Sequence, residues 1–216
     1  MYIPEHFREE RVSVLHQAIT QLGFGTLVTA GKDGLEASHL PMLMHREPGP
    51  LGTLHGHVAR ANTQWKNAQV GVQALAIFLG PNVYITPSWY PTKKETGKVV
   101  PTWNYLSVHA YGEIGFFDDP GQLREHVTNL TNAHEASRAN PWAITDAPPD
   151  YIEKMLAHIV GFKLVIHRLE GKWKMSQNRP EPDLAGVREG LSREGGELEK
   201  SVAEIMAASE EPRNSN

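Results

Sequence analysis

The sequence predicts a mainly β fold with flanking helices, an α+β domain whose strands close into a small barrel. Three observations carry that expectation. Short apolar or alternating runs recur between turn-forming residues across most of the chain. Helical spacing is confined to the margins, at 5–22 and after Pro120. No Gly-x-Gly-x-x-Gly or Walker loop follows a strand, which removes Rossmann and P-loop architectures.

The elements follow in order. Phe7, Val14, Leu15, Ala18, Ile19 and Leu22 predict an opening amphipathic helix over 5–22, released by Gly23 and Gly25 into a strand at 26–29. Gly31-Lys32-Asp33-Gly34 is a hairpin turn, and the return strand covers 35–45. A Pro/Gly-rich loop at 46–52 precedes a strand at 53–59 and a short helix at 61–68. The apolar run 74–79 reads as a strand buried on both faces, which Pro81-Asn82 turns into a strand at 83–86. A polar loop at 91–98 leads to the longest strand, 102–117. There Leu106, Val108, Ala110, Ile114 and Phe116 share one face; Trp103, Tyr105, His109 and Tyr111 share the other, which an oligomer partner would cover. Asp119-Pro120 is an N-cap with proline at the first helical position. A helix at 149–158, a strand at 161–167, a turn at Glu170-Gly171 and a strand from Trp173 to Gln177 follow. Helices at 183–192 and 197–209 and a polar, disordered tail from Glu210 finish the chain. The organisation predicted is one domain over 1–180 and a helical extension over 181–216.

Composition narrows the function classes. With 40% hydrophobic and 21% charged residues, the 216-residue chain has the make-up of an ordinary globule. No apolar stretch approaches the ~18 residues that cross a bilayer. The absence of cysteine excludes disulfides, thiolate zinc sites and cysteine nucleophiles. With a start that lacks signal-peptide character, it points to the cytoplasm and away from membranes. A formal charge of −4 gives no global attraction to nucleic acid, although Lys93, Lys94 and Lys98, or Arg168, Lys172 and Lys174, could form local basic patches.

Chemically specific residues concentrate in Ser38-His39-Leu40-Pro41, Gly56–Asn62, Pro101–Tyr105 and Ser176–Arg179. Together they offer a strong anion binder, amide and hydroxyl hydrogen-bonders and flat aromatic surface, which suits a planar, phosphate-bearing cofactor. Arg60 stands where a strand ends and a helix is expected, so its guanidinium can meet an anion. The same residues would serve equally as a surface ion pair, with Asn62 as a helix cap. His55-x-His57 without neighbouring carboxylates is a weak metal signal, and His39 and His57 read as hydrogen-bonders near a ligand. Trp103 and Tyr105 could stack on a heterocycle or pack at an interface. No acid/base dyad stands out.

These segments resemble the PaiB family of FMN-binding negative transcriptional regulators, within the FMN-binding split-barrel flavoproteins. The resemblance runs from Met1-Tyr2-Ile3-Pro4 through His39-Leu40-Pro41, Gly56–Asn62, Tyr84–Tyr90, Val100–Tyr105, His109–Gly112 and Ser176–Arg179. It implies a six-stranded split barrel that dimerises through its sheet face and holds FMN at the interface. Carried over, Arg60 holds the phosphate with help from Asn62, while Ser38, His39, Leu40, Pro41 and His57 line the ribityl chain and isoalloxazine. Trp103, Asn104, Gln177 and Arg179 are expected at the same site, some across the dimer. Thr63 departs from the proline expected in many relatives. The family name implies a regulator, with possible DNA binding; the alternative is an FMN-dependent oxidoreductase using a nicotinamide donor, whose hydride chemistry belongs to the flavin.

Overall fold

The computed structural model describes residues 1–69 and 71–208; the tail expected to be disordered lies outside the described residues. Eight strands form one sheet in the order β3-β2-β6-β7-β8-β5-β4, with β1 paired to β8. They are β1 (Arg8–Glu9), β2 (Phe24–Gly31), β3 (Gly34–Pro41), β4 (Leu43–His45), β5 (Thr53–Ala59), β6 (Ala74–Ile85), β7 (Thr102–Phe117) and β8 (Ile159–Lys174). Six strands were expected; the two extra ones, β1 and β4, are only two and three residues long. The helices are α1 (Val12–Leu22), α2 (Gln64–Asn67), α3 (Lys93–Thr96), α4 (Pro120–Glu135), α5 (Pro149–Leu156), α6 (Glu181–Glu194) and α7 (Glu197–Ala208). None of them is long and apolar enough to cross a membrane.

The chain folds into two compact units. The larger comprises Arg11–Phe78 and His109–Leu169. Its hairpin β2–β3 closes at Gly31↔Gly34 as the glycine-flanked turn predicts, and β2 continues the ladder onto β6 through Thr26↔Ile77. β5 pairs antiparallel with β8 from Thr53↔Val165 to Ala59↔Ile159. Ile19, Leu27, Leu54, Phe78, Phe162 and Leu164 are fully buried between these elements and α1. A second apolar cluster, Leu123, Ile144, Ile152 and Leu156, joins α4 to α5. Close approach is built on Gly112, where a Cβ would lie 2.0 Å from the Val165 carbonyl oxygen.

The smaller unit comprises Met1–Glu10, Leu79–Val108 and the chain from Glu170. β1 lies along the end of β8 through Arg8↔Lys172 and Glu9↔Gly171. That pairing explains why Glu170-Gly171, expected as a turn, is extended: the ladder to β1 outweighs a local turn preference. Pro81-Asn82, also expected to turn, stays within β6. Asn82 Nδ2 donates to the Gly80 carbonyl at 3.2 Å, and Gly80 makes room for Leu106, whose Cδ2 would stand 3.1 Å from a Cβ there. The opening helix is shorter than expected because Glu5–Phe7 forms a single 3-10 turn and Arg8–Glu9 joins the sheet. Val187, Leu191 and Val202, buried on α6 and α7, complete this unit's core.

Candidate functional site

In the larger unit, β5 delivers its last residues to the open edge of β3. β3 ends the sheet order and, among the described residues, pairs with β2 alone. Its outer backbone groups are therefore not used by a ladder. Gly56 sets the approach: a Cβ there would lie 2.4 Å from the Phe162 ring and 3.2 Å from the Pro41 carbonyl oxygen. Just past β5, Asn62 Nδ2 donates to Ser38 Oγ at 2.8 Å. Asn62 Oδ1 meanwhile accepts from the Gln64 backbone N–H at 2.9 Å, so Asn62 makes an Asx turn just before α2 and ties it to β3.

Strand alternation sends Ser38 and Leu40 to one face of β3 and His39 and Pro41 to the other. Leu40 is buried, and His39 Nδ1 pairs with Thr26 Oγ1 at 2.9 Å across the hairpin. A ligand reaching all four residues would have to lie along the strand edge.

Arg60 is anchored before any ligand arrives. Its Nε donates to the Ala157 carbonyl at 2.8 Å, Nη2 to the Ile159 carbonyl at 3.1 Å and Nη1 to Asp118 Oδ2 at 3.2 Å. A guanidinium carries five N–H donors, so donors remain for an anion. Of the alternatives that the sequence left open, the ion pair is present, whereas the N-cap position of α2 falls to Thr63 rather than Asn62. The helix expected at 61–68 is the four-residue α2, so anion binding falls to the side chain rather than to a helix end. Beside Arg60 opens a cavity of about 560 Å³ lined also by Asp118, Gly121, Arg124, Glu153 and Leu156.

His57 Nδ1 lies 3.1 Å from His126 Nε2, on α4. His45 and His55 stack beside them with ring centroids 4.0 Å apart. Burial holds His57 below the ordinary imidazole range. Burial, then the charges of His57, His55 and His45, push His126 down to about 3. Burial, followed by His45 and Lys163, lowers His55 to about 4. Near neutral pH the four rings form a layer of uncharged imidazoles, and one proton serves the His57–His126 bond.

The smaller unit carries the other expected site residues. Asn104 is completely buried; its Oδ1 accepts from Ser176 Oγ at 3.0 Å and its Nδ2 approaches Met206 Sδ at 3.6 Å. Ser176 reaches that position with φ of 64°, in the left-handed region. Gln177 folds over its own turn, donating from Nε2 to the Trp173 carbonyl at 2.5 Å and accepting from the Met175 N–H at 2.6 Å. The Arg179 guanidinium sits 4.8 Å from the Tyr90 ring centroid, and Trp103 is half exposed. Lys174, held below the ordinary lysine range by burial and then by Lys172 and Arg179, donates to the Trp103 carbonyl at 2.6 Å and to Thr102 Oγ1.

Two supporting residues escaped the sequence reading. Gln64, buried, donates from Nε2 to the Leu27 carbonyl, Thr29 Oγ1 and the Glu36 carbonyl, fixing the segment after Arg60 against β2 and β3. His126 shares a buried helix face with Leu123 and Leu130, and that spacing was the available signal.

Residues 1–168 match the family described as "Putative FMN-binding domain". The Protease synthase and sporulation protein PAI 2 of Bacillus subtilis is 34% identical over 206 residues, spanning 95% of this chain and 96% of that protein. An uncharacterized protein of Emericella nidulans shows 34% identity over 241 residues, spanning 95% of this chain and 96% of its own length. Among solved structures, the Flavocytochrome Anf3 from Azotobacter vinelandii superposes with a TM-score of 0.58 at 12% identity, over 85% of this chain and 78% of that one. At that identity the likeness concerns the fold. A polar anchor at the end of β5, a tied strand edge and a family match across residues 1–168 converge: the chain belongs to the PaiB-type FMN-binding-domain family, a split-barrel family whose cofactor is FMN.

Proposed function

We propose that this chain is an FMN-binding homodimer that acts as a negative regulator of transcription, with Arg60 gripping the flavin's phosphate. The observation that carries the binding role is the anchored Arg60 guanidinium, which retains unused donors and lines a cavity. The donor set suits FMN: a cation for the phosphate, Ser38 and Asn62 for ribityl hydroxyls, and the β3 edge with His57 for the ring system. Trp103, Asn104, Gln177 and Arg179 are proposed as the remaining flavin contacts. FMN, when bound, supplies a redox-active ring; the chain's own groups bind it, orient it and exclude water.

The regulatory role is supported by the name of the Bacillus subtilis relative, which ties that protein to protease synthesis and sporulation. Lys93, Lys94 and Lys98, on and beside α3, are the proposed contacts for DNA. A specific observation favours the second reading, an FMN-dependent oxidoreductase. The His57–His126 pair is uncharged at neutral pH and holds one imidazole proton in a fixed Nδ1···Nε2 hydrogen bond, a neutral hydrogen-bonding couple of the kind flavin chemistry uses.

FMN titration of the wild type and Arg60→Ala tests the binding role. Loss of a charged hydrogen-bonding partner should weaken affinity by about 10- to 100-fold. Unchanged affinity removes Arg60 from the phosphate. Salt-dependent binding to promoter DNA, without FMN reduction by NADH or NADPH, supports the regulator; turnover without DNA binding supports the enzyme. Size-exclusion chromatography with light scattering reports the dimer.

A further inference from the structure

The smaller unit holds a cavity of about 470 Å³. Tyr84 from β6 and Trp103 from β7 form its aromatic wall, meeting edge to face with centroids 6.1 Å apart at 72°. Both are unusually open for residues of their size, 47% and 52% exposed. Trp89 lines the same cavity but is buried. It is clamped by α6, where a Cβ at Gly190 would fall 2.2 Å from its ring and one at Gly186 would fall 2.0 Å from its carbonyl oxygen. This close approach lets α6 bring Glu194, and α7 bring Leu198 and Glu199, to the cavity.

The formal charge lining the cavity is negative, with Glu199 in the first turn of α7, where the helix N-terminus favours a carboxylate. No Lys, Arg or His among the described residues lines it. Among the described residues, neither Glu194 nor Glu199 is in a salt bridge. Glu194 is the last residue of α6, where unpaired carbonyls already carry partial negative charge. A carboxylate at this exposed helix end is mildly disfavoured, and a cation beside it relieves that.

We infer that this cavity binds a small organic cation, an alkylammonium or quaternary ammonium ion. Ring faces attract an ammonium through the aromatic quadrupole, and the effect grows as the cation is desolvated. The glutamates supply the counter-charge, and Leu198 supplies apolar contact for alkyl groups. A bare metal ion fits less well, because it needs several close oxygen or nitrogen ligands, and no suitable cluster exists among the described residues. A phosphate-bearing ligand would face two like charges. Its chemistry is therefore opposite to that of the proposed flavin anchor at Arg60. Trp103, also proposed as a flavin contact, here serves the cation instead, and competition with FMN decides between the two.

The test uses the full chain saturated with FMN, titrated with tetramethylammonium and with butylammonium by calorimetry and tryptophan fluorescence. The neutral control is 1-pentanol. Saturable binding of an ammonium probe is expected, about tenfold tighter than the alcohol, with no release of flavin. Glu194→Gln combined with Glu199→Gln should weaken it about tenfold, and Tyr84→Ala by a similar factor; far-ultraviolet circular dichroism checks that each variant is folded. Absence of saturable binding, equal affinity for the alcohol, or indifference to the double glutamine variant overturns the inference. So does displacement of the probe by excess FMN, which would give the cavity to the flavin. Failure of the protein to bind FMN at all would sink the flavin reading and leave the ammonium titration still decisive for this one.

Discussion

Acidification should unload the histidine layer, and His126 sets the size of the effect. It is 4% exposed and held down to about 3 by burial and by its neighbours His57, His55 and His45. Unfolding restores an ordinary imidazole near 6.5. Between those two values the unfolded chain binds more protons than the folded one, so stability falls as pH falls. Each pH unit below 6.5 costs about 1.4 kcal/mol for one such group, so a drop to pH 5 costs up to about 2 kcal/mol from His126 alone. His55, lowered to about 4, acts in the same direction above its folded value. Glu125 on α4 opposes the trend at His45, whereas Lys163 on β8 reinforces it. The assay is urea unfolding at fixed FMN concentration from pH 8 to pH 4, for the wild type and His126→Phe. The aromatic replacement keeps volume while removing the titration, so its stability should vary with pH by about 1 kcal/mol less per unit between pH 6 and pH 4. Parallel pH dependences for the two proteins would refute the reasoning.

Other perturbations test the scaffold. Gly112→Ala would drive a methyl group into the Val165 carbonyl, 2.0 Å from the new Cβ; about 3 kcal/mol or more should be lost in a denaturant melt. Gln64→Ala strips three acceptors of a buried amide donor and should cost about 1–3 kcal/mol, with FMN affinity falling as the segment after Arg60 loosens. Asp118→Asn should tighten FMN about two- to fivefold in a fluorescence titration, because the side chain competing for Arg60 Nη1 loses its charge.

The parts of the fold legible in the sequence were those whose signal is local. The Gly31–Gly34 hairpin and the two faces of β7 follow from turn chemistry and alternation, and Asp119 caps α4 as its sequence indicates, accepting from the Gln122 N–H. Pro81-Asn82 and Glu170-Gly171 misled because turn propensity is a property of the dipeptide, while extension there comes from partners distant along the chain. A two-residue strand such as β1 has no periodicity to read. At the candidate site, residue types could be picked out, but their pairings could not. Arg60 meets Asp118, Ala157 and Ile159, and His57 meets His126 from 69 residues away.

The bonds from Arg60 to the Ala157 and Ile159 carbonyls have an energetic consequence. A free arginine surrenders roughly 2 kcal/mol of rotamer freedom when it is immobilised. Here folding has already charged that entropy to the scaffold, so an arriving anion meets a guanidinium with a fixed plane. Selectivity should then follow geometry more than charge: a lysine at this position would keep the positive sign and lose the orientation.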